Sequence, residues 1–358
     1  MSFVLRQVLL EPRLVLDLNN EQRTQLLSQG RSSRLLGSLA IDMQNSGIDT
    51  LLPQTVERHL QSARLIHEKQ RRDLAYDTDK IKVALDSLGA KLVLLKGAAY
   101  ILADLPVGQG RLITDIDILV PHRNIDAAEK ALMDFGWERG KISAYDDHYY
   151  RQWGHEIPPL THRKREITLD VHHNILPPTA GPNVDADKLF ENLIEIKPGV
   201  YTLSWQDMVI HSATHLFHEG EFHHGLRDLW DLDRMLRDFP GRDPHFWEGL
   251  VSRARELQLS GSLFHGLNYA QQVFGTPLPA GILEAAASRS LAWRKPIMDF
   301  LFLRAFRPDH PQCKLPYTEL ALNLLYLRSH YLRMPLYLLL PHLARKAWMR
   351  RMDKGESD

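Results

Sequence analysis

The stretch Ile113-Thr114-Asp115-Ile116-Asp117-Ile118-Leu119-Val120 decides how the chain is read. It alternates strictly. Ile113, Asp115, Asp117 and Leu119 fall on one face of an extended strand, and Thr114, Ile116, Ile118 and Val120 on the other. Asp is a poor strand residue, and burying an unpaired carboxylate costs at least several kcal/mol. Two carboxylates on one face, one residue apart, also repel each other. A hard cation with oxygen ligands resolves both problems, and magnesium is typically shared between carboxylates and substrate phosphates. The plainer alternative is a strand end whose aspartates cap a turn or meet an arginine.

Upstream, Leu92-Val93-Leu94-Leu95 is a continuous apolar run that reads as a buried strand. It ends in the turn Leu95-Lys96-Gly97, with a short helix expected over Ala98–Leu105 up to Pro106. A strand-to-helix glycine turn exposes backbone N–H groups to an anion, and Lys96 adds a positive charge there. Downstream, Asn124 to Phe135 reads as a helix, and residues 141–175 read as strands and turns. Within them Ile167, Leu169 and Val171 alternate with Thr168, Asp170 and His172. Asp170 is thus a candidate third carboxylate from a neighbouring strand.

On both sides of this centre the chain reads as helical. Residues 1–88 carry Leu26, Leu35 and Leu39, then Leu60, Leu65 and Ile66, at helical spacing, with a long polar helix over 54–88. Helices are expected again at 204–219, 223–238, 244–258, 261–274, 279–305 and 315–350. The fold class expected is α+β: a small mixed-sheet core over 89–202, flanked by an N-terminal helical segment (1–88) and a C-terminal helical domain (203–358).

The bulk composition narrows the function. The 358 residues carry 44 Lys plus Arg and 44 Asp plus Glu, so no global field draws in nucleic acid or anionic lipid. Cys313 stands alone, which excludes an intrachain disulfide and a multi-cysteine zinc site. The N-terminus lacks the pattern of a signal peptide, and no apolar run approaches the ~18 residues of a membrane span; a cytoplasmic protein is expected. There is no G-x-x-x-x-G-K-[ST] loop and no G-x-S-x-G elbow.

Eighteen histidines are a high count. His211, His215 and His218 share one helix face. With Glu219 they suggest either a transition-metal site or, more plainly, a polar face packed against the central domain. His155-Glu156 and His172-His173 lie in or beside the α/β centre. The basic stretch from Leu343 to Met352 is a candidate nucleic-acid or membrane-surface contact, or simply a solvated helix end.

Taken together, Leu95-Lys96-Gly97, Arg111 through Val120 and Asp170-Val171-His172 resemble a poorly characterised bacterial nucleotidyltransferase family of the polymerase-β type. Leu203-Ser204-Trp205-Gln206-Asp207, His215 and Asp228-Leu229-Trp230-Asp231 are similar to its helical half. The chain departs from better-known members in carrying Gly97-Ala98 where they have Gly-Ser or Gly-Gly.

The resemblance implies transfer of a nucleoside monophosphate from an NTP, ATP foremost, to a hydroxyl acceptor on a small molecule, a protein or an RNA. Two Mg2+ ions, or Mn2+, would be held by catalytic Asp115, Asp117 and Asp170. Lys96, Gly97 and Arg111 would bind the nucleotide, and His155, His172 and His215 would border the acceptor. Two other readings stand beside it: a kinase-like phosphoryl transferase using the same carboxylates, and a non-catalytic nucleotide-binding module.

Overall fold

The computed structural model describes residues 3–339 apart from 141, 219, 288 and 336. Four helices open the chain: α1 (Val4–Leu10), α2 (Asn20–Ser32), α3 (Leu36–Asn45) and α4 (Gln54–Asp86). Asn19 starts α2 with a reciprocal cap. Its side chain accepts from the Gln22 N–H while the Gln22 side chain accepts from its own. In α4, Val56, Leu60, Ala63, Leu74, Ile81 and Leu85 recur at helical spacing and are buried. Leu65 and Ile66 belong to the other face and are exposed.

The strands are β1 (Leu92–Leu94), β2 (Asp115–Leu119), β3 (Trp137–Arg139), β4 (Leu160–His162), β5 (Thr168–His172), β6 (Ile194–Lys197) and β7 (Val200–Thr202). They form one mixed sheet in the order β3-β4-β5-β2-β1-β7-β6. The helices between them are α5 (Lys96–Leu102), α6 (Ile125–Asp134) and α7 (Ala144–Trp153). β2 is antiparallel to β1 and parallel to β5. Leu92, Val93, Leu94, Ile116, Ile118 and Leu119 are all buried, as befits central strands covered on both faces.

The second half is helical: α8 (Trp205–His218), α9 (Gly225–Asp238), α10 (Phe246–Glu256), α11 (Ser260–Phe274), α12 (Ile282–Ala286), α13 (Arg289–Ala305) and α14 (Thr318–Arg333). A continuous apolar core joins the N-terminal helices, the sheet and these helices.

The fold agrees with the α+β class, but several elements differ from expectation. The stretch expected as strands and turns from 141 contains α7, where Arg151 pairs with Asp147 one turn away and with Asp126 and Glu129 of α6. The expected helix over 279–305 is broken between α12 and α13. The β6–β7 hairpin, turned at Gly199 with φ +75°, was not anticipated. The basic stretch from Leu343 and the end of the expected helix over 315–350 lie outside the described residues. Among the described residues no helix is long and apolar enough to cross a membrane.

His265 of α11 sits in an aromatic cluster, 5.3 Å from Phe217 and 5.8 Å from Phe302 between ring centroids, and its Nδ1 is buried without a hydrogen-bond partner. Burial, reinforced by Arg328, pushes the imidazole down to about 3. A depressed folded value means stability is complete above the ordinary histidine range and is lost as pH falls towards 3, because only the unfolded chain takes up the proton. His265→Phe is therefore expected to gain about 2 kcal/mol over wild type on going from pH 8 to pH 4.5. Urea unfolding at the two pH values checks this; an equal difference at both would defeat it.

Candidate active site

The loop leading into β2 is held by α4. Gln70 imitates a strand partner: its Oε1 accepts from the Ile113 N–H at 3.2 Å and its Nε2 donates to the Ile113 carbonyl at 2.9 Å. Buried His67 spans the Arg111 carbonyl and the Gly110 N–H. Gly110, at φ +73°, lies so close to Gly37 of α3 that a Cβ would meet the Gly37 carbonyl oxygen at 2.3 Å. The N-terminal helices thus fix where the aspartate strand begins.

β2 and β5 run parallel with Asp117 directly opposite Asp170, and Asp115 opposite Thr168. Opposed residues on parallel strands share a face. Asp117 and Asp170 are therefore adjacent, and Asp115 lies two residues along the same face. Asp170 Oδ1 is buried with no hydrogen-bond partner. Burial, then Asp117 and Glu156, push the Asp170 carboxyl up to about 7.

Asp117 stays ionised for a different reason. Burial opposes its charge, but Lys96 and His172 outweigh that and hold it far below the usual carboxylate range. Lys96 Nζ lies 2.8 Å from Asp117 Oδ1, and His172 Nε2 lies 3.0 Å from the same oxygen. Lys96 opens α5 with φ +46°, a left-handed conformation uncommon for a side chain of its size. Despite burial, Asp117 raises its affinity for the proton. His172 Nδ1 faces Glu156 at 3.2 Å, and these two acids overcome burial to raise the imidazole. His155 stands 5.4 Å from the His172 ring and is pushed well down, by burial first and then by His172.

Gly97, next in α5, packs against the strand entry; a Cβ there would meet Ile113 Cγ2 at 2.6 Å. Arg111 is buried and bound to α9. Its Nε donates to Asp231 at 2.8 Å, and its Nη2 lies 3.6 Å from Asp228. Losing Arg111 would strand buried Asp231. Arg111→Met is therefore expected to cost about 3–5 kcal/mol, measured by denaturant unfolding; a loss under about 1 kcal/mol would make the pair a minor contributor.

Lys96, Gly97, Arg111, Asp115, Asp117 and His215 line one cleft of about 370 Å³. Asp170, His155 and His172 lie outside that lining, on the β5 side of Asp117. The cleft also takes Arg34 and Arg227, which the sequence reading missed. Their only sequence signal was basic character at the ends of α2 and α9. His211 and His218 part company. His211 is buried, and its low proton affinity comes from burial and then Lys96. His218 instead bonds the Thr214 carbonyl and faces Ser262 of α11. The only group of three metal-type ligands among the described residues is His155, Glu156 and His172; Glu219 lies outside them.

The mixed sheet thus presents paired aspartates beside a glycine turn and a cleft lined by arginines, a lysine and acids. A family model described as "Uncharacterised nucleotidyltransferase" matches residues 19–275, and the chain belongs to that family. No curated protein and no solved structure matches it. Family membership gives nucleotidyl transfer as the general class and a nucleotide as substrate.

Proposed function

We propose that the chain transfers a nucleoside monophosphate from an NTP to a hydroxyl acceptor, with Asp115, Asp117 and Asp170 holding two Mg2+ ions. The observation that carries this is the in-register pair Asp117 and Asp170, one of whose buried oxygens, Asp170 Oδ1, has no partner. Such crowding of carboxylates is unfavourable by itself and fits a hard cation bound through oxygen. Bound magnesium would neutralise phosphate charge and favour the ionised acceptor hydroxyl.

The chain's own groups divide the work. Lys96 and the cleft cations meet the phosphates on one side of Asp117. Asp170, with His155 and His172 nearby, borders the acceptor on the other. The acceptor oxygen forms its bond to the α-phosphorus as the bond to the β-phosphate oxygen breaks, and that electron pair leaves with pyrophosphate. The hydroxyl proton passes to Asp170 or to water. His172, gripped between Asp117 and Glu156, positions the Asp117 carboxylate.

The test is incubation with each α-labelled NTP, magnesium and a panel of hydroxyl acceptors. Labelled acceptor together with pyrophosphate supports the reading. Release of nucleoside diphosphate would replace it with phosphoryl transfer, and no magnesium-dependent nucleotide binding at all would leave a non-catalytic scaffold.

A further inference from the structure

Arg34 occupies the single turn between α2 and α3. The Leu35 N–H bonds back to the Gly30 carbonyl and the Arg34 N–H to the Arg31 carbonyl, closing α2 in the manner that ordinarily places glycine at the left-handed position. Here that position is an arginine at φ +53°. The backbone pays a strain of order 1 kcal/mol for it, and glycine would relieve that strain. The Arg34 side chain is half-buried and lines the cleft with Asp115 and Asp117. Among the described residues its guanidinium makes no hydrogen bond and no ion pair.

The other cations of the cleft are already matched. Lys96 is bound to Asp117 and Arg111 to Asp231. Arg227, in the first turn of α9, is bound to Asp228 through Nε at 2.8 Å and Nη2 at 2.6 Å. Burial, then Arg227 and Arg111, lower the proton affinity of Arg34. Asp115 and Asp228 oppose that shift, but Arg34, unlike Arg111 and Arg227, has no acid bonded to its guanidinium. Glu221 also lines it but pairs with none of them. What completes such a site is a compact, multiply charged anion that accepts planar donors, which is the chemistry of a phosphate.

We propose that Arg34, supported by Arg227, binds the terminal phosphate of the nucleotide and makes the site select a triphosphate over a diphosphate. This rests on the nucleotidyl-transfer reading of the same cleft and extends it. The N-terminal helices become a substrate-binding element, contributing a residue at the far end of the phosphate chain from the aspartates. Arg34 would touch the leaving pyrophosphate, stabilising the charge that grows on it.

The experiment measures binding of tripolyphosphate, pyrophosphate, ATP and ADP, each with magnesium, by calorimetry on the full chain. Arg34→Gly is the chosen variant, because glycine adopts the left-handed turn without strain and its melting temperature should not fall. Its affinity for tripolyphosphate and ATP is expected to drop by more than about 10-fold, in the range of a charged hydrogen bond to phosphate, with less than about 3-fold change for pyrophosphate and ADP. Arg34→Lys should recover part of the loss. If wild type binds triphosphate and Arg34→Gly binds it equally well, or loses di- and triphosphate alike, the clamp is wrong while nucleotidyl transfer stands. If wild type binds neither triphosphate, both readings fall together.

Discussion

Asp170→Asn is expected to abolish nucleotidyl transfer, by about 10³-fold or more, and in the same protein to raise the melting temperature measured without divalent cations. The two effects have one cause. The Asp170 carboxyl is pushed up to about 7 by burial and by Asp117 and Glu156. An acid whose folded value is raised loses stability as pH climbs from the unfolded carboxylate range towards that value, because the unfolded chain gives up its proton first. At pH 8 the full penalty is present. A shift of that size corresponds to a few kcal/mol at most, and water reaching the half-buried residue reduces it to about 1–2 kcal/mol. The neutral amide keeps the shape and removes the charge, so it recovers that amount. On the proposed reading it also removes the anionic carboxylate that would bind magnesium, and a lost factor of 10³ is about 4 kcal/mol of transition-state stabilisation. Thermal unfolding with and without magnesium, beside labelled-nucleotide turnover, reads both. Wild type should gain stability from magnesium and Asp170→Asn should not. A variant less stable than wild type in the absence of metal would show that Asp170 serves the fold instead.

The sequence announced the part of this site that conflicts with folding. Aspartates in an Ile- and Leu-rich strand have no local reason to be there, so Asp115 and Asp117 stand out from pattern alone. Asp170 was legible as part of a second alternating stretch and of the Asp170-Val171-His172 motif; what neither could supply was register, and the parallel pairing that sets it opposite Asp117 is a tertiary fact. Short strands escaped for a related reason. β6 and β7 have only four and three residues, too few for a period to emerge, and their pairing is local to a Gly199 turn. α7 was misread because Tyr149, Tyr150 and Trp153 favour strands intrinsically, whereas the Asp147–Arg151 pair and the acids of α6 favour a helix there. Arg34 and Arg227 were invisible, since nothing in either local sequence tells that α2, α9 and the aspartate strand meet around one cleft.

Asp117→Ala should lose turnover by at least about 10³-fold and, unlike the change at Asp170, lose stability as well. Asp117 is buried with Lys96 and His172 bound to the same oxygen. Removing one partner of a buried pair leaves the other's charge uncompensated, typically at a cost of about 3–5 kcal/mol. Loss of activity in this variant alone would not separate chemistry from collapse. The double variant Asp117→Asn with Lys96→Met does. Without the lysine charge the amide no longer faces an unmatched cation, so denaturant unfolding of the double variant should recover much of the stability lost by Asp117→Asn alone, a coupling of about 1–3 kcal/mol. Turnover should stay as low as in the single variant, because on the proposed reading neither the carboxylate that would bind metal nor the ammonium that would face the phosphates has returned. The opposite pattern, stability and turnover recovering together, would mean that Asp117 acts only as the counter-charge of Lys96. In that event two-metal chemistry at this strand would have to be abandoned.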